Sequence, residues 1–156
     1  MLKKHCPIIG KVNNDLLQNK LILYQKNNPC CELFGNCKHP KYQSNGDLQH
    51  HFPIFKDSLN SIFKSIEIQK MWCFITFPKN TVNSGWHSHN DKYIENAFSA
   101  VCYLTDTNVG TEFKDGFIIE PNINTWYIWD SNLEHRPVIK YMDKLRITIA
   151  ADINLN

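Results

Sequence analysis

Apolar and polar positions along the chain change rhythm near residue 69. Upstream the apolar spacing is three to four residues. Asn14-Asp15 supplies a cap for a short helix through Leu16, Leu17, Leu21 and Leu23. Over residues 53–67, Ile54, Phe55, Leu59, Ile62, Phe63 and Ile66 recur at helical spacing, while Lys56, Asp57 and Lys64 face outward. Residues 27–47, with two prolines and the run Ser44-Asn45-Gly46-Asp47, read as turns. Downstream the period shortens to that of strands. Segments 70–77, 85–89, 97–104, 111–113, 117–120, 125–129, 134–139 and 144–152 are rich in β-branched and aromatic residues and separated by Asn, Asp, Gly and Pro. Eight short strands so spaced predict a mainly β fold with flanking helices (α+β), a jelly roll, in which the helical segments cover an outer face of the larger sheet.

The length, 156 residues, suits one domain with a real core. The expected division is a helical and loop N-terminal support over 1–68 and a jelly-roll core over 69–153. A formal net charge of +2 gives no electrostatic reason to expect a nucleic-acid or membrane partner. Lys3-Lys4 and Lys38-His39-Pro40-Lys41 are too sparse to change that. No apolar run approaches the roughly 20 residues of a membrane span, and none follows Lys3-Lys4 as a signal sequence would require. A cytoplasmic location is the expectation. Oligomeric state is not legible.

No secretory signal supplies an oxidising compartment for the six cysteines. Cys73 and Cys102 lie in apolar alternating runs and read as core residues. Cys30, Cys31, Cys37 and His39 offer four zinc-type ligands, but without the paired C-x2-C spacing of structural zinc sites. His39, His50 and His51 flank turns and read as solvated.

The chemistry concentrates in Gly85-Trp86-His87-Ser88-His89-Asn90-Asp91. In an extended segment alternate side chains share a face, so His87, His89 and Asp91 look into one cavity. Two imidazoles and a carboxylate suit iron(II), with a third imidazole available from His135. On its own His135, in Asn132-Leu133-Glu134-His135-Arg136-Pro137, reads as a loop histidine; Arg146 eleven positions later changes that reading. In Leu145–Ala151, Arg146, Thr148 and Ala150 share one face and the large aliphatics the other. An inward guanidinium needs an anion, and its planar fork matches a carboxylate, with Thr148 adding a hydroxyl. A salt bridge to Asp152 is the structural alternative. Trp72, Trp86, Trp126 and Trp129 read as core or barrel-edge residues before they read as a substrate wall.

The order His89-x-Asp91, His135, Arg146 resembles the 2-oxoglutarate/iron(II) oxygenase superfamily, above all its prolyl-4-hydroxylase-like branch. Ala100-Val101-Cys102-Tyr103-Leu104-Thr105-Asp106 is similar to that family's YL-(S/N)-D strand. Val109-Gly110-Thr111-Glu112-Phe113 is similar to its GG-T-x-F turn, and 121–130 to the strand before the distal histidine. The likeness covers roughly residues 70–152. Only Gly110 remains of the usual glycine pair, and Asn122 and Asn124 stand where a turn glycine is expected. The resemblance implies a double-stranded β-helix of the cupin-like kind. It also implies iron(II) on His89, Asp91 and His135, and 2-oxoglutarate held by Arg146 and Thr148, with Tyr103 near it. The activity implied is oxidation of a substrate C–H bond coupled to decarboxylation of 2-oxoglutarate to succinate. His87 opens a second register, His87-x-His89. A cupin-like metalloprotein using His87, His89 and His135 without 2-oxoglutarate, and a non-catalytic binding module, are the competing functions. The substrate, small molecule or peptide, is not legible.

Overall fold

The computed structural model describes residues 1–31, 39–89 and 97–156. Its framework is a five-stranded antiparallel sheet in the order β1-β6-β3-β8-β2, formed by β1 (Leu2–His5), β6 (Thr125–Asp130), β3 (Ala97–Tyr103), β8 (Arg146–Leu155) and β2 (Ile66–Thr76). Facing it is a three-stranded sheet, β5-β4-β7, of β5 (Ile118–Ile119), β4 (Thr111–Phe113) and β7 (His135–Pro137). The two sheets make the double-stranded β-helix.

The period-2 pattern decides which side chains face which layer. Ile147, Ile149, Ala151 and Ile153 of β8 join Met71, Cys73 and Ile75 of β2 and Ala100 and Cys102 of β3 in the main core. Against that face pack α1 (Pro7–Val12), α2 (Asp15–Asn27), α3 (Leu48–His51) and α4 (Pro53–Asn60), contributing Ile9, Leu21, Leu48, Phe55 and Leu59. Trp126 crosses the layer boundary fully buried, its Nε1–H donating to Ser58 Oγ at 2.9 Å. Cys73 and Cys102 are buried free thiols, as their setting predicts. The other face of the large sheet turns toward the small sheet and carries Arg146, Thr148, Ala150 and Asp152.

Several boundaries differ from the pattern. Asn14 caps α2 by accepting Leu17 N–H at 3.0 Å, but the inward stripe runs Leu17, Leu21, Tyr24. Leu16 and Leu23, seven apart and so on a common outer face, are exposed. Helix α4 stops at Asn60 because the chain must straighten for Ile66 to pair with Leu155, although Ile62 and Phe63 still pack on the core. β1 has no alternation and all four residues exposed; it exists because β6 offers an edge, Leu2 pairing Ile128 and His5 pairing Thr125. Segment 85–89 is not a strand. It is held by one antiparallel bridge, His87 N–H to His135 O at 3.2 Å and His135 N–H to His87 O at 2.9 Å, and by His89 N–H to Ser131 O at 3.0 Å. Among the described residues no helix is long and apolar enough to cross a membrane.

Candidate metal and anion site

A cavity of about 900 Å³ opens between the sheets, walled by Trp72, Phe74, Trp86 and Trp129 and reaching both the histidines and Arg146. The bridge between the 85–89 segment and β7 sets His87 opposite His135. The Ser131 bond brings His89 alongside. As a result one nitrogen from each of His87, His89 and His135 falls within 4.8 Å of the others. Two nitrogens each about 2.1 Å from one metal ion are separated by at most about 4.2 Å, so this spacing is near that of a ligand set.

The rings are oriented from behind. His135 Nδ1 lies 2.8 Å from Leu133 O, and His87 Nδ1 lies 3.0 Å from Gly85 O. A carbonyl only accepts, so both rings carry their proton on Nδ1, and the lone pair sits on Nε2. His89 Nδ1 is 2.7 Å from Asp152 Oδ1. The His89 ring lies parallel to Trp72 (3°, centroids 5.6 Å) and nearly parallel to His135 (18°, 5.1 Å). His135 is driven down to about 3, chiefly by burial and further by His87 and His89, against the opposing pull of the Leu133 carbonyl. A histidine that stays neutral through the physiological range is in the state a metal needs. Three imidazole nitrogens at this spacing fit a borderline divalent cation such as iron(II), nickel or zinc.

At the other end of the cavity Arg146 is 3% exposed. Its Nε donates to Val109 O at 3.1 Å, and its guanidinium lies 5.7 Å from the Tyr103 ring centroid and 6.0 Å from that of Phe74. Among the described residues no carboxylate forms an ion pair with it. Burial lowers its pKa, with Tyr103 acting in the opposite direction. A buried cation with no counter-charge among the described residues, fronting a cavity, has the chemistry to receive an anion.

Other expected residues fall less simply. The Tyr103 hydroxyl is buried and shares a 2.7 Å hydrogen bond with Thr111 Oγ1. Thr148 Oγ1 donates weakly to Phe74 O at 3.4 Å, so its hydroxyl starts from a main-chain partner that a bound anion must replace. Asp152 does not pair with Arg146; it backs His89 instead. Cys30 is disulfide-bonded and so is neither a thiolate for zinc nor a free thiol. Cys37 and Asp91 lie outside the described residues. Trp72, Trp86 and Trp129 line the cavity, whereas Trp126 belongs to the core.

Asp152 is a site residue that the sequence did not mark for this role. Its signal was present in the alternation: six positions after Arg146, it must share that residue's face. A second unmarked group is Arg136, whose guanidinium stacks 4.1 Å from the Trp86 ring centroid while its Nε donates to Glu112 at 2.7 Å. That clamp holds the irregular segment beside His87.

No protein-family model and no curated protein matches the chain. Solved structures do. EvdMO1 superposes with a TM-score of 0.65 at 13% identity, over 94% of this chain and 44% of EvdMO1, so the chain spans less than half the length of that protein. HygX from Streptomyces hygroscopicus, solved with nickel and 2-oxoglutarate bound, gives 0.61 at 10% identity, over 99% and 82%. The viral collagen prolyl hydroxylase of Paramecium bursaria Chlorella virus-1, solved as a 2-oxoglutarate complex, gives 0.54 at 13% identity, over 99% and 95%. The chain shares the double-stranded β-helix fold of these 2-oxoglutarate-bound structures.

Proposed function

We propose that the protein is an iron(II)- and 2-oxoglutarate-dependent dioxygenase that oxidises a C–H bond of a small-molecule or peptide substrate. The observation that carries this reading is the pairing, in one cavity, of three convergent histidines with a buried arginine that has no counter-charge among the described residues. A metal site alone suits many enzymes. The added cation calls for an anionic partner, and 2-oxoglutarate is a dicarboxylate able to chelate a metal at one end and meet a guanidinium at the other.

In this reading His89 and His135 hold the metal and the third place belongs to His87, which the fold brings to them; the His89/Asp91 register is the alternative ligand set. Bound iron and 2-oxoglutarate supply the oxidising chemistry, with oxygen consumed and succinate and carbon dioxide released. The chain's own contribution is placement. Arg146 takes the distal carboxylate through its fork, and its Nε–Val109 bond fixes the plane of that fork. Tyr103 and Thr148 flank the anion. Trp72, Phe74 and Trp129 give the cavity aromatic walls that keep water from the reacting groups.

The test is anaerobic addition of iron(II) and 2-oxoglutarate to the metal-free protein. The expected result is a visible charge-transfer band, followed on admission of oxygen by succinate release. Full iron loading with no band refutes 2-oxoglutarate binding at the metal. The cluster His87, His89 and His135 equally favours a second reading, a cupin-like metalloprotein working without 2-oxoglutarate. It predicts metal binding that 2-oxoglutarate leaves unchanged.

A further inference from the structure

We infer that Asp152 is the positioning carboxylate of the metal centre, supplying through His89 the negative charge that three neutral imidazoles do not bring to the ion. This rests on the His87/His89/His135 set proposed above. Asp152 Oδ1 stands 2.7 Å from His89 Nδ1, yet that oxygen is buried and accepts no aligned hydrogen bond from the described residues. The two atoms are in contact and the N–H points aside. Asp152 is not part of the converging metal-ligand group, and its contact with Nδ1 leaves Nε2 of the His89 ring as the nitrogen for the ion.

The neighbours of Asp152 support the assignment. Across the large sheet Asp152 pairs with Ser99 of β3, and Ser99 pairs with Trp129 of β6. Directly opposed side chains lie about 5 Å apart, so the three form one row on the cavity face. Ser99 Oγ and Trp129 Nε1 are, like Asp152 Oδ1, buried and without a hydrogen-bond partner among the described residues. Three of the seven such atoms among the described residues therefore fall in this one cross-strand row. For Asp152 the missing donor is the His89 ring, which stands in contact but out of line. Rotating the His89 N–H onto Asp152 completes the first link. Ser99 is placed to donate to the same carboxylate. Trp129, already in edge contact with His135 at 4.9 Å, ends the row at another ligand of the set.

The energetic role follows from histidine chemistry. An Nδ1–H bonded to a carboxylate makes Nε2 a better donor and locks the ring plane, and losing such a partner typically lowers metal affinity about 10- to 100-fold. A carboxylate beside His89 thus does from one residue further away what a carboxylate ligand would do directly in the His89-x-Asp91 register.

The test uses cobalt(II) and zinc(II) affinity, measured by competition with a chromophoric chelator, and the visible spectrum of the cobalt(II) protein at saturation. Asp152→Asn keeps the size and removes the charge; Asp152→Ala removes both. The expected result is weaker metal binding by about 10-fold or more in Asp152→Asn and up to about 100-fold in Asp152→Ala. The cobalt(II) spectrum should shift, and metal-free thermal stability should stay near that of the parent. Ser99→Ala should weaken binding by a smaller factor. Metal affinity within twofold of the parent in Asp152→Asn, or a loss matched by collapse of the metal-free fold, overturns the inference. Normal metal binding with no response to 2-oxoglutarate would sink the oxygenase reading and leave Asp152 where it is. Parent-like affinity in Asp152→Asn beside a normal charge-transfer band would do the reverse.

Discussion

Replacing Arg146 by methionine separates binding from stability, because the two should move differently. The side chain is 3% exposed, donates to Val109 O, has the Tyr103 side chain as a second polar neighbour, and faces no carboxylate among the described residues. Without its anion the guanidinium is therefore a net burden. Exchanging a buried charged group for an apolar one of similar volume is often neutral or stabilising, by as much as about 1–4 kcal/mol. Against that stands the Val109 carbonyl, left without its donor at a cost of about 1–3 kcal/mol. These nearly cancel, and at about 2–4 °C per kcal/mol the ligand-free melting temperature should stay within about 4 °C of the parent. Cosubstrate binding loses a charged hydrogen bond worth about 1.5–3 kcal/mol, which is about 10- to 150-fold in affinity.

The assay is thermal melting of the metal-loaded protein with and without 2-oxoglutarate. At a concentration of about 100 Kd the parent gains about 2.7 kcal/mol, or about 5–10 °C. A variant weakened 100-fold gains about 0.4 kcal/mol at that concentration, or about 1 °C. Arg146→Lys, which keeps the charge and loses the fork, should fall between them. A 2-oxoglutarate shift as large in Arg146→Met as in the parent would refute the anion-site argument. A ligand-free melting point lowered by about 10 °C, beyond what the Val109 bond accounts for, would refute the claim that the charge is uncompensated.

Two further predictions concern the groups that hold the site. His135 is neutral in the fold down to about 3, whereas the unfolded chain takes up a proton near the ordinary value of 6.5. The metal-free protein should therefore lose stability as pH falls below 6.5, by up to about 1.4 kcal/mol per pH unit, with the loss levelling off near 3. Urea midpoints across that range, compared with those of His135→Gln, check the slope; parallel curves would remove His135 as the cause. Gly110 permits a close crossing of two strands, since a Cβ there would meet Ile119 O at 1.9 Å. Gly110→Ala should cost about 3 kcal/mol in urea denaturation and, by displacing the adjoining Val109 carbonyl, weaken 2-oxoglutarate binding as well. An unchanged urea midpoint would show that β4 and β5 can separate freely.

What was legible in the sequence was whatever a local period records. Strands β2, β3, β6 and β8 were readable because alternate residues on one face are apolar, and α2 because Asn14 announces its start. That same alternation is sufficient to place Arg146 and Thr148 on the inner face. The limits are also physical. β1 carries no alternation because both of its faces are exposed, so only the free edge of β6 makes it a strand. Helical spacing continued past Asn60 into Ile62, Phe63 and Ile66, since those side chains do meet the core, but pairing with Leu155 took the backbone at Ile66. Leu16 and Leu23 look like core residues until the helix is docked.

The candidate site divides along the same line. By itself the sequence determined which chemical groups exist and on which face of a strand they lie: His87 and His89 two apart, His135 and Arg146 eleven apart, Arg146 inward. Tertiary structure alone decided that three histidines converge, because the 85–89 segment is held by hydrogen bonds to His135 and Ser131 and by no period of its own. It alone turned Asp152 from a candidate partner of Arg146 into the carboxylate behind His89. Sheet alternation fixes the side of the sheet on which a side chain projects, but the neighbour it meets there comes from a strand or loop distant in sequence, and no local pattern encodes that distance.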